Sequence, residues 1–179
     1  MTWRTHGSTT VYENAWIRVR EDAVDRPDGT PGTYGVVEVR HPAVFVVPVT
    51  DDGGVVLVEV ARYTTGSSLE VPAGGSDGED LLAAARRELQ EETGLEADRW
   101  ELVGSMFALN GICHAPEHVY LARGLRASGL PTDQVAEGIA AVRTVPWPEV
   151  LTLVADGTIT DGETVAALMY AAIALGRVG

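Results

Sequence analysis

Glu88, Glu91 and Glu92 fall within little more than one helical turn of the stretch PAGGSDGEDLLAAARRELQEETGL, Pro72 to Leu95. Like charges three or four residues apart on a helix repel by about 0.2–0.5 kcal/mol per pair, so the crowding needs a reason. On a helical wheel Leu81, Leu82, Ala85 and Leu89 share one arc, the face that packs against a sheet, and the three glutamates occupy the adjoining arc. Carboxylates beside an apolar stripe are partly desolvated, and a desolvated cluster either takes up protons or holds a cation. A hard divalent ion suits it, because Mg²⁺ prefers carboxylate and carbonyl oxygens plus water. Arg87 lies one turn before Glu91, at ion-pair spacing. The plainer alternative is a solvated acidic face on a surface helix.

The elements that must position this helix are mostly strands. WIRVRED alternates apolar and polar residues, RPDGTPG supplies turn residues and TYGVVEV resumes extended character, which predicts a hairpin from Trp16 to Val39. Two apolar strands follow, AVFVVPV and VVLVEVARY, joined by the tight turn TDDGG. A short strand, SLEVP, leads through the glycine-rich AGGSDGED into the acidic helix, which stops at Gly94 in the position of a left-handed cap. Further strands are predicted at WELVGSMFAL, EHVYLA and AAVRTV, with loops over 109–117 and 128–138. Pro146 and Pro148 frame a short helix near 148–155, and Asp161 is a suitable N-cap for a last helix. Helices do not alternate regularly with strands, so an α+β sandwich is favoured over a doubly wound sheet.

A chain of 179 residues fits one domain with an appendage. Its net charge of -13 opposes nucleic acid and anionic membrane surfaces, so neither is an expected partner. An anionic substrate would need local cations. All 13 basic side chains are arginine, which excludes a Schiff-base lysine and a P-loop lysine. Cys113 is the single cysteine, adjacent to His114 in a loop without the spaced partners of a zinc site. The N-terminus MTWRTHGSTT lacks the apolar core of a signal peptide, and the most apolar segment, 164–176, is too short to span a bilayer; a cytoplasmic location is expected.

The stretch from Glu79 onward resembles the Nudix box, G, five residues, E, seven residues, R-E-U-x-E-E-x-G-U, with U aliphatic. Glu79, Arg87, Glu88, Leu89, Glu91, Glu92, Gly94 and Leu95 match in register. One departure stands out. Gly74 lies five positions before Glu79, so the opening segment is one residue short and Ala73 stands where the family glycine would fall. Outside the box, the hairpin and the run VVLVEVARYTTGSSLEVPAGG are similar to the ADP-ribose pyrophosphatase branch.

The resemblance implies a Nudix-type α/β/α sandwich with a mixed central sheet over 41–179, preceded by an N-terminal antiparallel β-hairpin region over 1–40 that serves dimerisation, with strands exchanged between protomers. It implies Mg²⁺ or Mn²⁺ held by Glu88, Glu92 and the Ala73 carbonyl, with Glu91 a further ligand or catalytic helper. Glu79, Arg87 and Gly94 become structural members of the box. Arg62 would contact a substrate phosphate, with an ordinary strand-edge arginine as the alternative, and Glu70 would lie beside the substrate. Trp16 and Tyr34 would stack on a nucleobase or pack within the hairpin or a dimer interface. A glutamate that positions the attacking water is implied from a late loop: Glu137, or Glu117 in NGICHAPEHVYLA, where Pro116 replaces the aspartate of a shorter family motif. The implied activity is hydrolysis of a nucleoside diphosphate sugar, ADP-ribose first, to AMP and a sugar phosphate. The alternatives are another diphosphate (an oxidised nucleotide, a dinucleoside polyphosphate or flavin dinucleotide) or a non-catalytic ligand-binding module.

Overall fold

A computed structural model of the chain describes residues 2–178. Its N-terminal part is a sheet of β1 (Arg4–Glu13), β2 (Ile17–Asp25) and β3 (Pro31–Val39), antiparallel throughout, edged by the two-residue β9 (Cys113–His114) running parallel to β3. The predicted hairpin is β2 and β3. The additional strand β1 carries no alternation to announce it: RTHGSTTVYE is exposed at every position, so no buried face marks it as a strand.

The larger sheet has the order β11-β5-β4-β10-β8. β4 (Ala43–Val49) and β10 (Pro116–Ala127) run parallel, whereas β10 with β8 (Leu95–Phe107) and β5 (Gly54–Arg62) with β11 (Ile139–Pro146) are antiparallel. The short strands β6 (Gly66–Glu70) and β7 (Ala73–Gly75) join β5 and β4. β8 begins directly after Gly94, five residues before the predicted start at Trp100, and β9 with the first residues of β10 occupies part of the predicted 109–117 loop. Both extensions are set by ladder pairing with strands far along the chain, which local pattern does not reveal.

Alternation along the central strands sorts the two faces. Val44 and Val46 of β4, with Tyr120 and Ala122 of β10, pack against Ala84, Ala85 and Leu89 of α1 (Leu81–Thr93). Val47, Val49, Val119 and Leu121 point the other way, onto α2 (Trp147–Ala155) and α3 (Gly162–Ala174). The result is the expected α/β/α sandwich. Each fully buried valine or leucine here contributes about 1.5–3 kcal/mol, which holds α1 against the sheet whatever its polar edge costs.

Asp80 caps α1, its Oδ1 accepting from the Leu82 and Ala83 amides at 3.0 and 3.1 Å. Gly94 ends it in the left-handed region, φ 70°, as its position predicted. No helix among the described residues is long and apolar enough to cross a membrane.

Candidate active site

The antiparallel pairing of β7 with β4 lays the main chain of Ala73, Gly74 and Gly75 along the acidic edge of α1. The Ala73 amide donates to Glu92 Oε2 at 3.0 Å. At Gly74 a Cβ would stand 2.2 Å from Glu88 Oε1, so a side chain here would have to displace that carboxylate. The glycine that the shortened box displaced by one position is therefore Gly74, and Ala73 supplies main-chain contacts beside it.

Arg87 ties helix to loop. Its Nη1 donates to Glu88 Oε1 at 2.8 Å and Glu91 Oε2 at 3.0 Å, its Nη2 to the Gly75 carbonyl at 2.9 Å, and its Nε lies 3.4 Å from Glu79 Oε1. The predicted Arg87–Glu91 ion pair is thus one arm of a larger clamp. Glu88 and Glu92 are both buried, 7% and 4% exposed. Burial pushes the Glu88 carboxyl up to about 7 against the opposing charge of Arg87. Burial likewise pushes Glu92 up to about 8 against the Ala73 hydrogen bond, with the charge of Glu88 adding to the rise.

Such carboxylates fit a divalent cation. No protein donor among the described residues reaches Glu88 Oε2 or Glu92 Oε1, leaving one hard oxygen on each. No three acidic, histidine or cysteine side chains among those residues close round one point. A bound ion would therefore complete its shell with main-chain, water or phosphate oxygens, as Mg²⁺ commonly does.

Beside this edge lies a cavity of about 450 Å³ lined by Arg62, Glu70, residues 73–75, Phe45, Asp161 and Glu163. Arg62 reaches buried Glu70 through Nε, 3.2 Å from each carboxylate oxygen, and through Nη2. That bond to Glu70 raises the Arg62 guanidinium above its ordinary value, while the side chain stays partly exposed to the cavity.

Glu137 is exposed on the 128–138 connection, and its charge bears on both Glu88 and Glu92. The connection is held there from α1: the Asp133 amide donates to the Glu91 carbonyl at 3.0 Å, Gln134 Nε2 to the Glu92 carbonyl at 2.9 Å, and Gln90 Nε2 to the Pro131 carbonyl at 2.6 Å. Gln90 and Gln134 carry no sequence signal for this role, since the partners lie some forty residues apart along the chain. Glu117 lies on the other side of the sheet, on the α3 face with Val119 and Leu121, 6% exposed. Burial, then the charges of Glu163 and Asp161, push its carboxyl up to about 7.

Trp16 is 70% exposed in the β1–β2 turn and does not line the cavity of its own chain. Tyr34 meets Trp3 edge-on with ring centroids 5.2 Å apart, and its hydroxyl donates to the Gly111 carbonyl. Asp161 caps α3, its Oδ2 accepting from the Thr164 amide at 2.7 Å, and also lines the cavity, a second role its capping pattern did not signal.

Two predictions follow from these contacts. Gly74→Ala forces the Glu88 carboxylate aside and lowers divalent-ion affinity by about tenfold or more, read by titration calorimetry; unchanged affinity would refute the close approach. For Glu117, the folded-state value lies above the ordinary 4.5, so its stabilising contribution is complete below that pH and is lost as pH rises toward 7. Glu117→Gln, neutral throughout, should raise the melting temperature more at pH 8 than at pH 5, and equal shifts at both would contradict the burial argument.

The NUDIX domain family model matches residues 39–168, and that of the nucleoside diphosphate sugar hydrolase N-terminal domain matches residues 3–37. The chain is 34% identical over 170 residues to an ADP-ribose pyrophosphatase of Mycobacterium tuberculosis, covering 93% of this chain and 82% of that protein. It is 32% identical to a methanol dehydrogenase activator of Bacillus methanolicus, covering 93% of this chain and 91% of the relative. A crystal structure of an ADP compounds hydrolase superposes with a TM-score of 0.86 at 22% identity, covering 100% of this chain and 97% of the other, a likeness of fold. The box carboxylates on α1, the glycine beneath Glu88 and both family matches lead to one conclusion: this chain belongs to the Nudix family and carries the N-terminal domain of its nucleoside diphosphate sugar hydrolases.

Proposed function

We propose that the chain hydrolyses the pyrophosphate of a nucleoside diphosphate sugar, ADP-ribose first, giving AMP and ribose 5-phosphate. The observation that carries this reading is the pair of buried carboxylates, Glu88 and Glu92, held against the main chain of Ala73 and Gly74 at the rim of a cavity that also contains Arg62. Glu88 and Glu92, with the Ala73 carbonyl and Glu91 assisting, would hold Mg²⁺ or Mn²⁺. When bound, the ion neutralises diphosphate charge and lowers the pKa of a coordinated water.

The remaining work falls to the chain. Arg62, oriented by Glu70, presents its guanidinium to a phosphate oxygen. Arg87 holds Glu91 and Glu88 in place rather than touching substrate. Glu137 takes the proton of the attacking water as its oxygen bonds to phosphorus and the bridging P–O bond breaks. Its charge bears on both box glutamates from a loop fastened to the end of α1, which favours it over Glu117, buried on the α3 face. Relatives named as ADP-ribose and GDP-mannose pyrophosphatases support the substrate class.

We also assign to the N-terminal sheet a homodimer interface, on the exposed side chains of Trp3, Val11, Tyr12 and Trp16, 51–70% accessible in the single chain. Trp16, which is exposed and does not line its own cavity, would then serve the partner's nucleobase. Analytical ultracentrifugation should find a dimer at micromolar concentration, and a monomer would remove this part of the reading.

Chromatographic release of AMP from ADP-ribose with Mg²⁺ or Mn²⁺ tests the reaction. Glu92→Gln should abolish it, and Glu137→Gln should lower kcat by about 10²–10⁴-fold with little change in KM. No turnover of any nucleoside diphosphate sugar with either ion would overturn the proposal.

A further inference from the structure

The cavity that would take the diphosphate is poor in cations. Arg62 already spends Nε and Nη2 on Glu70, and Asp161 and Glu163 add two more acids to the same lining. His41 is the other basic side chain there. Val39, His41, Ala43 and Phe45 all line the cavity, whereas Val44 packs on α1, so the alternation that carries β4 turns this set toward the cavity. Main-chain bonds fix the segment: the Ser76 amide donates to the Pro42 carbonyl at 2.8 Å, and Ala43 pairs with Gly75 of β7. The ring borders the turn before α1, its Cε1 3.7 Å from where a Cβ on Gly78 would stand. His6 is paired with Asp25 and His118 with Ser105, but neither ring nitrogen of His41 has a protein partner among the described residues, and the residue is exposed.

We propose that His41 is a substrate contact, its ring N–H donating to a phosphate oxygen of the diphosphate alongside Arg62. This deepens the hydrolase reading and rests on it for the placement of the diphosphate. An imidazole keeps at least one N–H in either protonation state, so the donor is always present. A hydrogen bond to a charged oxygen is shorter and stronger than one between neutral groups. The donor also comes free of a competing partner: Arg62 shares its charge with Glu70, whereas the His41 ring gives up only water. Ala43 pairs with Gly75, and Gly74 abuts the Glu88 carboxylate, so a phosphate held by His41 stands on the box side of the cavity. The segment that joins the N-terminal sheet to β4 thereby becomes part of the site, though it lies some forty residues before the box glutamates.

The test uses α,β-methylene ADP-ribose, in which a methylene replaces the bridging oxygen that hydrolysis breaks. In calorimetry on the full chain with Mg²⁺, His41→Ala should weaken its binding by about tenfold or more, and His41→Gln, which keeps an N–H donor, should stay within about threefold of the parent. On ADP-ribose itself, His41→Ala should raise KM by a similar factor and leave kcat within about twofold. A role confined to packing against Gly78 would show differently: Mg²⁺ affinity or the melting temperature would fall with His41→Ala, and His41→Gln would not restore binding. That pattern, an unchanged affinity in His41→Ala, or no binding of the analogue to the parent chain would overturn the inference. The hydrolase reading is scored separately. Turnover of ADP-ribose with equal KM in parent and His41→Ala would remove the contact and keep the reaction, whereas His41-dependent binding of the analogue without turnover of ADP-ribose would do the reverse.

Discussion

Two carboxylates, Glu88 and Glu92, are buried between a helix and a strand, where water cannot solvate them and a single arginine serves only one directly. Everything around them is arranged to tolerate this. Arg87 offsets part of the charge while fastening the helix to the loop at Gly75 and Glu79, and the Ala73 amide gives Glu92 its one hydrogen bond. Gly74 has no side chain because Glu88 occupies the space one would need. The repulsion on α1 persists because its opposite face is locked to the sheet by Ala84, Ala85 and Leu89, so the helix cannot turn its acids to solvent without exposing apolar surface.

That constraint organises the rest of the site. The parallel β4–β10 pair is the floor that separates the two faces, with α1 and the box on one and α3 on the other. β7 and the end of β5 bring main chain and Arg62 to the rim from one direction, and the start of α3 brings Asp161 and Glu163 from another. The connection carrying Glu137 has no apolar anchor of its own. It is placed by hydrogen bonds to the last turn of α1, so the helix that holds the box also holds the loop that would act on it. In the proposed reading, a protein of net charge -13 would reach an anionic substrate in this way: few local cations, and carboxylates that would hold a divalent ion beside the diphosphate.

Much of this is legible in residue order because the box is local. Glu79, Arg87, Glu88, Glu91, Glu92 and Gly94 lie within 16 residues, and helical periodicity converts that spacing directly into an acidic edge, a clamp and a cap. The apolar central strands and the two caps, Asp80 and Asp161, read equally well, since each depends on near neighbours. β1 does not, being polar along its length and paired only through its backbone. Nor do the starts of β8 and β10, which are set by partners far away in the chain.

The sequence by itself determined the family resemblance, the acidic helix and the α+β class, because those rest on spacing and alternation. Only the tertiary structure decided which glycine approaches Glu88, that the 128–138 connection is fastened to the end of α1, and that Glu117 is buried on the α3 face of the sheet. Those facts depend on strand register and on which face of a sheet a residue occupies. Register is chosen by packing the whole core at once, and a slip of one residue would reverse every assignment.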